Sequence, residues 1–221
     1  MSLAVSAGAP WLDPRDQVLL AATPTLMVPR FGTLPPATEG SHRFLVGAGG
    51  LYMQARSRAL DATVLVAPSP FALPYGVVKP TVAYRHGAPS PDLLRRAIQR
   101  AAQVAPNEWA GVIVLDRDGY RLVEPPALLA TPGAVSYATT GLDSDALVID
   151  LHSHGDGSAF FSPTDDASDR EGGIYIATVL GRCRSTTPKM VSRLVVNGHF
   201  FPFEAHALTP GHYREMRSDY Q

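Results

Sequence analysis

His152 and His154 are separated by one residue, and seven more lie before Ser162-Pro163-Thr164-Asp165. Side chains on a strand alternate faces, so residues two apart point the same way. At a strand end, His152 and His154 aim both imidazoles at one place. The glycine-bearing loop after them lets the chain double back. Ser162 suits a helix N-cap and Asp165 its N3 position, which sets both side chains at the helix mouth. Two neutral imidazoles and one carboxylate suit a single Zn²⁺ per chain, and three protein ligands leave a fourth position for water. Zinc lowers the pKa of that water to ~7, so a nucleophile is available at neutral pH.

Such a water needs a proton acceptor. Glu108 is the candidate, because it stands where a helix hands over to the apolar strand Trp109 to Leu115. If that strand lies beside the histidine strand, Glu108 can take the proton and pass it to a leaving amine. Glu124 is the second choice. Ser162 would donate a hydrogen bond to the oxyanion of a tetrahedral intermediate.

The elements that must position these groups can be read from pattern. Ser90-Pro91-Asp92 opens a helix in which Leu93, Leu94, Ala97, Ile98, Ala101 and Ala102 share one face, and Pro106 ends it. Asp118-Gly119 and Asn197-Gly198 are hairpin turns. Ala146 to Leu151, Ile174 to Leu180, Met190 to Val196 and Phe200 to Phe203 read as strands, and Ser162 to Arg170 as a short helix. Before Gly76 the chain differs. Twelve of the 20 prolines lie before Leu93, which favours short strands and turns over long helices. Strands are expected at Arg43 to Val46, Leu51 to Ala55 and Ala62 to Ala67, with a broken or edge strand over Val77 to Tyr84. These patterns divide the chain into a β-rich, Pro-rich region 1–76, an α+β domain 77–207 and a tail 208–221.

Bulk composition narrows the function classes. Lys+Arg total 19 against Asp+Glu 20, a net charge of -1, which gives no electrostatic case for nucleic acid or an anionic membrane. No apolar run is long enough to span a bilayer, and the N-terminus lacks a secretory pattern, so the expected compartment is the cytoplasm. The single cysteine, Cys183, excludes an intrachain disulfide and a cysteine zinc cage. It also excludes the Cys-rich signature of zinc deaminases. The length and the late position of the histidine pair do not suit an eight-unit barrel.

Each part of the motif is ordinary alone. Ser-x-x-Asp is a common cap, and a chain with seven histidines readily contains one His-x-His. Their combination at fixed offsets is specific. Glu108-x-x-Gly111 with His152-x-His154-x₇-Ser162-x-x-Asp165 resembles the JAMM (MPN+, Mov34/MPN/PAD-1) metalloprotease signature, with Ala110 where a cysteine is usual. The resemblance covers roughly residues 77–207. It implies a cytidine-deaminase-like mixed sheet flanked by helices. It also implies zinc on His152, His154 and Asp165, Glu108 as base, and Ser162 stabilising the intermediate. The implied reaction is cleavage of an amide or isopeptide bond at the tail of a ubiquitin-like protein. The region around Leu73-Pro74-Tyr75-Gly76 resembles the protein A family of bacterial PRTRC systems, which implies an E1-like (ThiF-type) partner. The alternative is a non-catalytic MPN scaffold that binds partners. His42, His86, His199, His206 and His212 are read as surface or hydrogen-bonded histidines, and Cys183 as a plain strand-associated cysteine.

Overall fold

A computed structural model describes residues 13–138 and 140–203. The tail 208–221 lies outside them, as do His206 and His212. After helix α1 (Pro14–Ala22), five strands form the first sheet: β1 (Thr25–Met27), β2 (Ser41–Gly47), β3 (Gly50–Arg56), β4 (Leu60–Pro68) and β5 (Thr81–Tyr84). They neighbour one another in chain order, antiparallel except for the parallel β1–β2 pair. The strands expected before Gly76 are β2, β3 and β4. β5 starts just after Pro80, whose missing N–H cannot serve a ladder, and it forms the edge of this sheet.

Helix α2 (Pro91–Val104) begins as its sequence dictates. Ser90 accepts the Asp92 N–H at 3.3 Å, Pro91 occupies the first turn, and Leu93, Ala97 and Ala101 are buried. Next come β6 (Ala110–Asp116), β7 (Gly119–Val123), the hairpin β8 (Ala127–Thr131) and β9 (Ala134–Tyr137), a short 3-10 turn, and β10 (Leu147–Ser153). Helix α3 (Pro163–Asp169), β11 (Ile174–Gly181), β12 (Lys189–Val196) and β13 (His199–Phe203) complete the described chain. The main sheet runs β13-β12-β11-β10-β6-β7, with β10 and β11 parallel and the other neighbours antiparallel. This mixed α+β arrangement agrees with the fold class that the resemblance implies.

One face of the main sheet carries Ile113, Ile149, Leu151, Ile176, Leu180, Leu194 and Val196 into the largest apolar core. Helix α2 supplies Leu93, Ala97 and Ala101 to that core, and the first sheet supplies Met53, Leu60, Ala62 and Val64. Burying this face is the main apolar contribution to stability, at roughly 25 cal/mol per Å² removed from water. The opposite face is less apolar. Register places Val112, Asp150, Ala177 and Arg193 in one row across four strands, and His152 follows Asp150 on the same side. The polar chemistry is built on this second face. No described helix is long and apolar enough to cross a membrane.

Candidate metal centre

The ends of β10 and β6 are tied together at Ser153 and Trp109. The Ser153 N–H donates to the Trp109 carbonyl at 2.8 Å, and the Ser153 hydroxyl accepts the Trp109 N–H at 2.9 Å. The two histidines flank Ser153, and Glu108 precedes Trp109. This link brings the three polar groups to one end of the sheet. His154 extends the ladder, donating its N–H to the Leu180 carbonyl at 2.8 Å.

The loop after His154 is held in a fixed shape. Gly155 has φ +53, and a side chain there would meet the Pro106 carbonyl oxygen at 2.3 Å. Only glycine suits both the conformation and the approach. The Arg182 and Cys183 N–H groups bond the Gly157 and Gly155 carbonyls at 2.7 and 2.9 Å. The loop delivers the chain to α3, where Ser162 and Asp165 form a reciprocal capping box. The Ser162 N–H donates to Asp165 Oδ2 at 2.6 Å, and the Asp165 N–H to Ser162 Oγ at 3.3 Å. The cap uses the serine oxygen as an acceptor, and the Ser162 hydroxyl also bonds the Asp165 carboxylate.

Three ligand atoms from His152, His154 and Asp165 lie within 4.8 Å of one another. His152 Nε2 is 3.2 Å from Asp165 Oδ1, and His154 Nε2 is 4.0 Å from Asp165 Oδ2. Ligand atoms of a tetrahedral zinc site, each about 2.0–2.1 Å from the ion, sit ~3.3 Å apart. His152 Nε2 is buried without a properly directed hydrogen bond, although the carboxylate is close. A buried nitrogen left so is costly unless something else engages it. His154 Nδ1 lies 3.0 Å from the Ser158 carbonyl. That partner fixes the proton on Nδ1 and leaves Nε2 as a free donor of its lone pair. The donor set, spacing and orphaned nitrogen fit a divalent ion such as zinc.

Electrostatics follow from this packing. Burial works against a charged His152, but Asp165, with Asp150 and Glu108 behind it, lifts the imidazole above its usual value. Burial also opposes the Asp165 charge, yet His152 and the Ser162 cap hold the carboxyl well below the usual range. Glu108 is 9% exposed, and burial pushes its carboxyl up. His154 and His152 pull it back, and Asp165 adds to the rise. Glu108 therefore shares an electrostatic environment with all three. A buried carboxylate of raised pKa is suited to proton transfer near neutrality.

Glu124 is engaged elsewhere. Arg100 grips it with two bonds of 2.8 and 3.0 Å, and the Trp109 indole N–H donates to it at 3.0 Å. The Glu108-x-x-Gly111 spacing has a packing reason. A side chain at Gly111 would meet the Trp109 ring at 2.4 Å, so its absence lets the indole lie back along the strand. Asp150 was not singled out from the sequence. It is pushed up to about 6 by burial, with His152 and the Tyr137 hydroxyl, 3.0 Å away, pulling it back. An acid inside the apolar run Ala146 to Leu151 was the available signal.

A mixed α+β sheet with a His-His-Asp cluster at one end defines the class of domain. Residues 90–195 match the family model described as prokaryotic homologs of the JAB domain, and this supports the JAB/MPN family for that part of the chain. Such a domain is compatible both with a hydrolase and with an MPN scaffold. Residues 13–85 match a domain of unknown function (DUF2016). None of the curated proteins matches the chain. Among solved structures, that of protein DSY2949 from Desulfitobacterium hafniense is similar at 17% identity and a TM-score of 0.40, covering 51% of this chain and 86% of that one. That likeness is too slight to bear on function.

Proposed function

We propose that this protein is a zinc-dependent hydrolase of amide or isopeptide bonds. The observation that carries the reading is the convergence of His152, His154 and Asp165 beside the buried Glu108. A zinc ion held by the three groups would supply an acidified water at its open position. Glu108 would accept a proton from that water and return it to the leaving amine, a shuttle its raised pKa favours. The Ser162 O–H, turned from the Asp165 carboxylate, would donate to the carbonyl oxygen as it gains charge. The Ser158 carbonyl orients the His154 imidazole.

The substrate we propose is the C-terminal tail of a ubiquitin-like protein, with an E1-like (ThiF-type) protein as a further partner. Support for this comes from the family match over residues 90–195 and from the sequence likeness of the N-terminal region to PRTRC protein A. The test is incubation with ubiquitin-like fusion proteins, with and without a chelator, read by mass spectrometry. Cleavage after the tail that the chelator stops is expected. A folded, zinc-loaded protein that cleaves none of them would overturn the substrate assignment. Purified protein that holds no zinc would favour the scaffold.

A further inference from the structure

We propose that Arg193 is a positioning residue that sets where Asp165 stands relative to His152 and His154. This rests on the metal reading above. Helix α3 carries Asp165 and is only seven residues long, Pro-Thr-Asp-Asp-Ala-Ser-Asp. Helices this short do not hold together alone. Helix α3 also contributes no side chain to any of the apolar core clusters among the described residues. Something other than an apolar face must fix it to the sheet.

Arg193 does so from the polar face of β12. Its guanidinium donates to Asp169 Oδ2 from Nη2 at 2.6 Å and from Nε at 2.9 Å, and to Asp166 Oδ1 from Nη1 at 2.5 Å. The Tyr175 hydroxyl, from β11, donates to the other Asp169 oxygen at 2.8 Å. The cation also lies over two rings, 3.9 Å from the centre of Phe161 and 4.0 Å from that of Phe200. Arg193 and Asp169 are 7% and 5% exposed. Phe161 adjoins Ser162 at the helix entry, and Asp166 and Asp169 follow Asp165. The clamp therefore grips the chain on both sides of the proposed ligand. A planar, five-donor cation can make all these contacts at once, and lysine cannot.

The test is the double variant Arg193→Met/Asp169→Asn. Methionine fills the space between the rings, and asparagine keeps an acceptor for Tyr175, so no buried charge is stranded. Zinc affinity by chelator competition, the melting temperature of the metal-free protein, and the visible spectrum of the cobalt(II) form are measured. Expected are zinc binding about ten- to hundredfold weaker, as for lost support behind a ligand, an altered cobalt spectrum, and metal-free melting close to that of the parent. Parental zinc affinity in the folded variant overturns the clamp and leaves the metal reading intact. A parent protein that takes up no zinc overturns both. Should the double variant not fold, Asp166→Asn removes only the outer contact. A severalfold loss of zinc affinity is then expected, and no loss overturns the proposal.

Discussion

Trp109 and Ser153 are joined twice, by a backbone bond of 2.8 Å and by a hydroxyl that accepts the Trp109 N–H at 2.9 Å. Ser153 is completely buried and Trp109 nearly so. The pair welds the residue after Glu108 to the residue between the two histidines. Ser153→Ala leaves the Trp109 N–H buried without an acceptor, which costs about 1–3 kcal/mol. Urea unfolding is expected to show a lower midpoint with an unchanged slope. An unchanged midpoint would show that the weld contributes nothing.

Gly155 occupies a left-handed conformation against the Pro106 carbonyl. The contact is with backbone atoms of Pro106 and not with a flexible side chain, so Gly155→Ala must shift the backbone. Backbone strain of this kind costs roughly 1–3 kcal/mol. Because His154 is the adjacent residue, zinc affinity is expected to fall together with the melting temperature. A variant that melts lower yet binds zinc as the parent does would separate the loop from the site.

Glu124 gives a pH signature away from the metal cluster. Arg100 holds its carboxyl below the ordinary value against partial burial, and the Trp109 indole adds to this. A depressed folded pKa gives stability that is present above the unfolded value, ~4.3, and is lost as pH falls through the folded one. Glu124→Gln should therefore melt below the parent at neutral pH, with the gap closing in acid below about pH 4. A gap that widens in acid would contradict the pairing.

The two proposed catalytic groups should fail differently. Glu108→Gln keeps the shape and the metal and is expected to abolish turnover. Ser162→Ala should lose on the order of 10²–10³ in rate through the oxyanion contact and about 1 kcal/mol through the cap. Full activity in Glu108→Gln would remove it as the base. A Ser162 variant that loses stability but no rate would reduce that residue to a cap.

Where residues repeat at a regular period, the sequence was readable. The α2 face showed through Leu93, Ala97 and Ala101, and the hairpin turns through Asp118-Gly119 and Asn197-Gly198. The meeting of His152, His154 and Asp165 was readable because the three sit at a strand end and the next helix mouth, so local spacing brings them together. Helix α1 was not foreseen, since it buries no residue and shows no apolar stripe. The β8–β9 hairpin was missed because most of its residues are exposed and it lies among prolines. In sequence Arg193 is one charge in an apolar strand. Its partners Asp169, Tyr175, Phe161 and Phe200 come from separate segments, and only the folded sheet brings them together.

Metal content decides whether His152, His154 and Asp165 hold an ion. Purified protein and its His154→Ala variant, both checked for folding, are dialysed against buffered zinc and analysed for bound metal. Three protein ligands around one open position hold a single ion, so about one zinc per chain is expected in the parent and loss of that zinc in the variant. A folded parent without zinc, or a variant that retains it in full, would contradict it.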